Sequence, residues 1–424
     1  MVLNEVERRL TTDLSMKQLP KNGLTPIDQA LDGLLANLRP IEARETVPIL
    51  GARGRILAAE IEAEMDVPSY DNSAMDGYAV RALDTAGAEV TLPISQRIAA
   101  GQIGNPLRAG EAARIFTGAP MPAGADAVVM QENCSVSGDR VAILQAVEAG
   151  ENLRRAGEDI KSGATLFEPG HRLRPQDIGL IASLGIAEVT LTRRLRIALM
   201  TTGDELVQPG TGLKPGQIYN SNFYSLSSLL QAFDAEVIDL GTIGDDFEST
   251  REALAAAAES ADCIISTGGV SVGEEDHVKA AVEAEGSLEL WKLAIKPGKP
   301  LAAGKVGGTQ FFGLPGNPVS AVITFLLLVR PCLLRMSGCD SLVPTSFSLA
   351  AAFARPESGQ RQEYLRVTVQ VGKDGKQSLL PFKNQSSGVG SSLSGADGLA
   401  IIPAYTSVAV GDSLQYIPFS ELLN

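Results

Sequence analysis

The stretch "DCIISTGGVSVGEEDHVKAAVEAE", residues 262–285, decides the fold of the central part of the chain. Its apolar run "CIIS" predicts a buried strand, and "DHVKAAVEAE" predicts a helix with an apolar face. Between them, a glycine-rich turn presents backbone N–H groups that can hold an anion. Three carboxylates at 274–276 follow directly, and they would repel that anion. The motif therefore indicates either a phosphate ligand accompanied by a cation, or simply a tight turn with an acidic helix start.

The same alternation of strand and helix continues on both sides of this stretch. The segments "LRIALM" and "EVIDLG" predict buried strands, while "NFYSLSSLLQAFDA" and "ESTREALAAAAESA" predict helices, the second with Ser249 as its N-cap. Near-continuous apolar strands separated by helices are typical of a parallel sheet covered on both faces. Such sheets bind ligands at the carboxyl ends of their strands. We therefore predict a doubly wound α/β domain.

The rest of the chain divides by composition. Residues 25–39 show helical spacing of apolar residues, with Thr25 as the predicted N-cap. A segment rich in Gly, Pro, Ala and Val then predicts a β-rich insert, and short strands with Gly-bearing turns predict an all-β C-terminal domain. The predicted organisation is a leader at 1–22, a discontinuous linking domain at 23–62 and 159–194, an inserted β-rich domain at 63–158, a doubly wound domain at 195–338 and a C-terminal domain at 339–424.

Composition argues against several classes of function. The 424 residues carry a net charge of −14, which disfavours binding to nucleic acid or to anionic membranes. Only two histidines are present, so a zinc site or a histidine-based triad is not expected. The four cysteines form no C-x-x-C pair, which indicates thiols in a reducing cytoplasm. The longest apolar run, "AVITFLLLV" at 321–329, is too short to span a membrane and predicts a buried helix.

Acidic residues follow three of the predicted strands. Glu205 lies in "TTGDEL", Asp245 in "GTIGDDFEST" and Asp276 in the opening stretch. Because the carboxyl ends of parallel strands meet at one edge of a sheet, these carboxylates can converge. Oxygen ligands of this kind suit Mg²⁺ bound with a nucleotide phosphate. Taken singly, each acid could equally be a solvated loop charge.

Basic residues are concentrated in "WKLAIKPGKP". Lys292 and Lys296 have the same parity along a predicted strand, and Lys299 follows in a turn. The group indicates an anion pocket, with a solvated edge strand as the alternative. The turn "GLPGNPVSA" at 313–321 then opens a helix and offers N–H groups to a second anion. From composition alone, "NQSSGVGSSLSGADG" at 384–398 favours a flexible linker over a hydroxyl-rich loop for an oxyanion.

Seven motifs in colinear order resemble one family. They are "DNSAMDGYAV", "FTGAPMPAGADAVVMQE", "GEDI", "TGDEL", "GGVSVGEED", "KPGKP" and "GLPGNPVSA". Together they resemble the molybdopterin molybdenumtransferases, the MoeA or gephyrin E-domain family, from about residue 24 to 420. The resemblance implies a multidomain α/β subunit with a MogA-like doubly wound domain and a C-terminal β-barrel. It also implies a homodimer, with each cleft between the doubly wound domain of one subunit and the inserted domain of the other.

The family resemblance implies a reaction and a set of residues. Molybdenum from molybdate enters adenylated molybdopterin, AMP is released with the help of Mg²⁺, and the molybdopterin adenylyltransferase is a further implied partner. The matching catalytic positions are Asp76, Thr117, Asp159, Glu205, Lys292 and Lys296. Those that would bind the molybdopterin ligand are Gly268, Gly269, Ser271, Gly273, Pro315, Pro318, Arg366 and Ser387, and those that would bind metal are Glu205, Asp245 and Asp276.

Two other functions are compatible with parts of the sequence. An adenylyltransferase that activates molybdopterin with ATP shares the glycine-rich loop and the doubly wound domain. It lacks the roughly 190 N-terminal residues and the C-terminal barrel expected here. A non-catalytic dimeric scaffold of the gephyrin E-domain type would keep the fold and bind peptide partners. Retention of every acidic and basic site position favours catalysis over that alternative.

Overall fold

A six-stranded mixed sheet forms the centre of the molecule. The computed structural model describes residues 23–86, 89–244, 246–269 and 277–423, so the leader at 1–22 lies outside the described residues. Four parallel strands come first in the sheet and confirm the predicted core, and two antiparallel strands follow. In sheet order the strands are Glu236–Ile243, Arg196–Thr202, Cys263–Thr267, Thr309–Leu314, Pro300–Val306 and Gly286–Lys292.

Two antiparallel strands extend the predicted parallel core at one edge. Val306 pairs with Thr309 across Gly307 and Gly308, both at positive φ. A two-residue Gly-Gly loop matches the twist of a hairpin, so the chain reverses there instead of crossing over through a helix. The signal was present in the sequence as "KVGGTQ".

Helices cover both faces of this sheet, as the doubly wound prediction requires. One face packs against Ser221–Ala232 and the long helix from Pro318 to Met336, and the other against Phe247–Ser260 and His277–Glu285. Asp246 caps the helix Phe247–Ser260 by accepting from the Ser249 N–H at 2.9 Å, so the predicted cap at Ser249 was wrong. Asp246 lies three residues before Ser249, at the point where the backbone is still extended.

The apolar run predicted to form a buried helix does so. The helical stretch is Pro318–Thr324, a π-helical turn Phe325–Val329, and Arg330–Met336. It has a mean hydropathy of 1.8, and it is long and apolar enough to cross a membrane. However, 94% of its most apolar window is buried inside the protein, which is the environment of a core helix.

Strand pairings join the two parts of the predicted linking domain. Arg44–Pro48 pairs with Glu188–Thr192, and Ile61–Glu62 pairs with Thr165–Phe167. The helix Pro175–Ser183 packs over them through Ile181. The first helix, Ile27–Ala36, packs instead on the central core. Thr25 does not cap it, because Pro26 is the N-cap and the Thr25 backbone bonds to Lys292 and Ala294.

The inserted domain is built on a six-stranded sheet, as the composition predicted. Two small cores, centred on Tyr78 and Ile98, pack on its opposite faces. A further pair of short strands, Asn72–Ser73 and Leu153–Arg154, ties its entry to its exit. In sheet order the six strands are Ala127–Met130, Gly77–Val80, Ala112–Ile115, Val90–Ile98, Arg140–Ile143 and Cys134–Ser137.

The C-terminal domain is a closed five-stranded β-barrel, which confirms the predicted architecture. Each strand pairs with two neighbours, so the ring has no free edge. A short strand, Ile295–Lys296, leaves the central domain and pairs with the barrel at Gln362. Going round the ring, the strands are Gln362–Val371, Gln377–Pro381, Phe347–Ala351, Ser413–Pro418 and Gly398–Ile402, and the domain also holds the helices Ser391–Ser394 and Phe419–Leu423.

Candidate active site

The glycine-rich turn begins where the strand Cys263–Thr267 ends. Gly268 has φ +93° and Gly269 has φ +62°, a region that favours glycine. A Cβ on Gly268 would lie 2.7 Å from the Thr202 carbonyl oxygen of the neighbouring strand. The two strand ends can therefore approach this closely only because residue 268 has no side chain. Ser271 and Gly273, also predicted here, lie outside the described residues.

A hydrogen-bond network holds the proline-rich turn against this glycine turn. The Thr267 hydroxyl donates to the Pro315 carbonyl at 3.1 Å. The Asn222 amide donates to the Thr267 hydroxyl at 2.9 Å and to the Gly316 carbonyl at 2.7 Å. Pro318 begins the following helix behind this turn. The sequence interpretation missed Asn222, although an asparagine at a helix start after a strand end is a signal for such a role.

A cleft of about 620 Å³ opens above these turns, between the central domain and the barrel. Three cationic side chains, Lys296, Lys299 and Arg361, line it, and its described lining contains no Asp or Glu. In a chain with a net charge of −14, this is a local reversal of sign. The cleft therefore suits an anion. The other described lining residues are Gly268, Gly269, Pro297, Gly298, Pro300, Pro315, Gly316, Asn317, Ser320, Gln385, Ser386 and Ser387.

The lysines are not arranged as their parity suggested. The strand ends at Lys292, and Lys296 belongs to a separate short strand that pairs with the barrel. Lys292 does not line the cleft, whereas Lys299 and Arg361 do. The parity argument failed because the chain leaves one sheet and joins another between the two lysines. Lys296 also bonds to Glu363 at 3.0 Å.

The serine-rich segment 384–398 is a folded wall of the cleft, so the linker favoured from composition was wrong. Arg366 organises it, with a side chain only 1% exposed. Its Nε donates to the Ser392 hydroxyl at 3.1 Å and its terminal nitrogen to the Ser386 carbonyl at 3.2 Å. Burial lowers the pKa of Arg366 to about 10. The structure thus places Arg366 behind the cleft, where it holds the carbonyl of Ser386, a residue of the cleft lining.

The predicted magnesium ligands are only partly described. Glu205 is exposed and folds back over Gly203 at the carboxyl edge of the sheet. Asp245 and Asp276 lie outside the described residues. Within 23–86, 89–244, 246–269 and 277–423, no group of three His, Cys, Asp or Glu side chains could hold a metal ion. The magnesium site therefore stays a prediction.

A second cluster of predicted residues forms at one corner of the inserted domain. The Thr117 N–H and hydroxyl both donate to Asp76 Oδ1, at 2.8 and 2.7 Å. These two bonds hold the pKa of the Asp76 carboxyl below its usual range. Residues 41 positions apart in the chain are thus brought into contact.

The "GEDI" segment reaches the same corner. Asp71 accepts from the Ala156 N–H at 2.8 Å and from Arg155 at 2.6 Å, and these bonds lower its pKa. Asp159 is held through its backbone N–H, which bonds to Val67 at 3.0 Å. None of the described residues that line the cleft comes from this corner. Within one subunit, Asp76, Thr117 and Asp159 therefore do not belong to the set of predicted residues that line the cleft.

Fold and cleft together define a class of protein: a multidomain α/β protein that presents an anion-binding cleft at a strand-end edge. Comparison with known families agrees along most of the chain. Residues 25–185 match "MoeA N-terminal region (domain I and II)", residues 198–335 match "Probable molybdopterin binding domain", and residues 348–419 match "MoeA C-terminal region (domain IV)".

Similarity to individual proteins covers three quarters of the chain or more. The chain is 38% identical over 404 residues to a molybdopterin molybdenumtransferase of Haemophilus influenzae, covering 94% of this chain and 99% of that one. It is 40% identical over 336 residues to molybdopterin molybdenumtransferase 2 of Mycobacterium tuberculosis, covering 76% and 82%. A crystal structure of a molybdopterin biosynthesis MoeA protein from Pyrococcus horikoshii superposes with a TM-score of 0.80, at 30% identity, over 93% of this chain and all of that one. The chain belongs to the MoeA family of molybdopterin molybdenumtransferases.

Proposed function

We propose that this protein inserts molybdenum from molybdate into adenylated molybdopterin and releases AMP, the last step of molybdenum cofactor biosynthesis. The observation that carries the proposal is the cleft lined by Lys296, Lys299 and Arg361 without a described carboxylate. Both reactants are anions, and a cationic pocket overrides the repulsion of an acidic chain. The names of the full-length relatives support the same reaction.

The reaction requires the protein to position the reactants and to supply charge. It does not require side chains of the protein as molybdenum ligands. The dithiolene of the substrate brings the sulfur atoms that bind molybdenum. Cys263, Cys332 and Cys339 are buried, and burial raises the pKa of Cys134 to about 11, so these thiols are poorly suited to compete as thiolates. The cationic side chains would hold the oxyanion next to the dithiolene while the glycine turn offers its N–H groups to the phosphate.

Magnesium is part of the proposal. Glu205, with Asp245 and Asp276, would hold the ion, which neutralises charge on phosphate oxygens when bound. The dependence of AMP release on Mg²⁺ can be measured by titrating Mg²⁺ into protein stripped with a chelator. Glu205→Ala should abolish the Mg²⁺-dependent part of AMP release and leave the fold unchanged. Unimpaired AMP release and molybdenum insertion in this variant would show that Glu205 is not part of the site.

We also propose a cytoplasmic homodimer that can receive its substrate from the molybdopterin adenylyltransferase. The separation of the Asp76–Thr117 corner from the cleft of its own subunit supports the dimer, because a second copy can supply the missing wall. Sedimentation of the purified chain would test this. A monomer at micromolar concentration that retains full activity would contradict it.

The decisive experiment follows AMP over time with purified protein, adenylated molybdopterin, Mg²⁺ and molybdate. We expect AMP release that requires molybdate. An absence of molybdate-dependent release would exclude the proposed function. Formation of adenylated molybdopterin from ATP would favour the adenylyltransferase alternative, and binding of peptide partners without turnover would favour the scaffold.

A further inference from the structure

A pair of arginines lies side by side on the inserted domain. The strands Val90–Ile98 and Ala112–Ile115 are in parallel register, with Arg97 opposite Arg114, and Arg114 is in turn opposite Tyr78. Directly paired residues of neighbouring strands project from the same face of a sheet. Two guanidinium groups are therefore neighbours on one face, and like charges in this position destabilise a sheet unless something balances them.

An aromatic ring holds both guanidinium groups in place. The Arg97 guanidinium carbon lies 4.4 Å from the centre of the Phe116 ring, and that of Arg114 lies 4.6 Å from it. Neither arginine forms an ion pair with a carboxylate of the described residues. Cation–π contacts orient a guanidinium without neutralising its charge. Neither positive charge is therefore neutralised by an ion pair, although the charge of Arg114 also acts on the nearby Asp76 carboxylate.

These arginines adjoin the Asp76–Thr117 corner. Arg114 donates to the Gly77 carbonyl at 3.1 Å and to the Gln131 side chain at 2.7 Å, and the Gln131 N–H bonds to the Asp76 carbonyl at 3.1 Å. Thr117 directly follows Phe116 in the chain. Arg97 is exposed and so accessible to a ligand, while Arg114 is partly buried and braced by its neighbours.

We propose that Arg97 and Arg114 form a second anion site that binds a tetrahedral oxyanion, namely a phosphate group of the adenylated substrate. Planar guanidinium groups bind phosphate oxygens in a bidentate manner, and two of them can share one pyrophosphate. The site lies apart from the cationic cleft of its own subunit, since neither arginine lines that cleft, and in the proposed dimer it would contact substrate held in the cleft of the second copy. The identity of the phosphate as part of the substrate rests on the proposed function, whereas the anion site itself does not.

A chemical protection experiment tests the site without requiring catalysis. Phenylglyoxal modifies accessible arginines, and peptide mass spectrometry can follow the modification of each one in the full-length protein. We expect millimolar pyrophosphate to slow modification of Arg97 at least about fivefold while Arg140 is unaffected. Arg140 is the matched control, because it is exposed on the strand Arg140–Ile143 of the same sheet. Equal rates at Arg97 with and without pyrophosphate would overturn the proposal.

Two further measurements distinguish phosphate from molybdate as the bound anion, and they test the anion site separately from the proposed function. Protection by molybdate but not by pyrophosphate would overturn the assignment to phosphate. In the AMP-release assay, Arg97→Gln should raise KM for the adenylated substrate about tenfold with little change in kcat, and Arg97→Lys should restore part of the affinity. An unchanged KM in Arg97→Gln would refute the site while leaving the proposed function intact. Protection of Arg97 in a protein that releases no AMP would refute the function and leave the site.

Discussion

The cationic cleft and the corner of the inserted domain use charged side chains in opposite ways. In the cleft, Lys299 and Arg361 face the cavity and form no ion pair with a described carboxylate. In the corner, Asp71 and Asp76 are each tied by hydrogen bonds to backbone N–H groups. The cleft therefore leaves the charges of Lys299 and Arg361 available to a ligand, whereas Lys296 is paired with Glu363. In the corner, the carboxylates accept hydrogen bonds from nearby turns of the protein itself, which fixes their position.

This difference predicts that the cleft is sensitive to backbone geometry. Gly268→Ala should destabilise the protein by about 3 kcal/mol and abolish AMP release, because the added Cβ meets the Thr202 carbonyl and also suffers positive-φ strain. Gly210→Ala is the matched control, with the same φ of +93° and no atom within 4 Å of the added Cβ. This substitution should lower the free energy of unfolding by only about 1 kcal/mol. Urea unfolding and the AMP assay measure both effects.

Equal losses in the two glycine variants would contradict this interpretation. The strain of the left-handed conformation would then account for the whole effect. The close approach of the two strand ends would no longer explain why glycine is needed at residue 268.

Removal of one charge from the cleft should weaken anion binding without unfolding the protein. Lys299→Gln should lower affinity for molybdate about tenfold, the size expected for the loss of one charge-assisted contact. Lys305→Gln is the control, since Lys305 is exposed on the strand Pro300–Val306 that follows Lys299 and does not line the cleft. Titration calorimetry with molybdate checks the result. An affinity that is the same in both variants would mean that the lysine charge in the cleft does not bind the oxyanion.

The smallest expected effect is a response of the corner to pH. The pKa of Asp71 is lowered, first by the Ala156 N–H and then by Arg155. A depressed folded-state pKa gives stability that is present above the unfolded value of about 3.9 and is lost as the pH falls through the folded value. Protection of the Ala156 N–H from hydrogen exchange should therefore fall from pH 5 to pH 3, beyond the intrinsic pH dependence of exchange.

Two variants make the pH measurement specific. Asp71→Asn should remove most of this pH dependence, because the group that titrates is gone. Lys299→Gln should retain it in full, because this substitution leaves Asp71 and its hydrogen bonds unchanged. Loss of the pH dependence in the lysine variant would show that the two regions are electrostatically coupled.

Local patterns were sufficient wherever one segment sets its own structure. The apolar run 321–329 predicted a buried helix and the alternation after residue 195 predicted a doubly wound domain, because periodicity and burial are properties of short segments. The failures lie where distant segments meet. Lys292 and Lys296 were placed on one face because parity assumes an unbroken strand. Segment 384–398 was assigned to a linker from its composition. Its order depends on a contact with Arg366, which lies on a strand elsewhere in the chain.

The sequence by itself determined the fold class, the family, the strand-end turns and most of the residues that belong to the cleft and the corner. Glycines, prolines and apolar periodicity act over a few residues, so their consequences can be derived from the order of the chain. Only the tertiary structure decided which charges face the cleft, that Asn222 ties its two turns together, and that Arg97 lies beside Arg114. These facts depend on register and on contacts between segments far apart in the chain, and no local pattern encodes them.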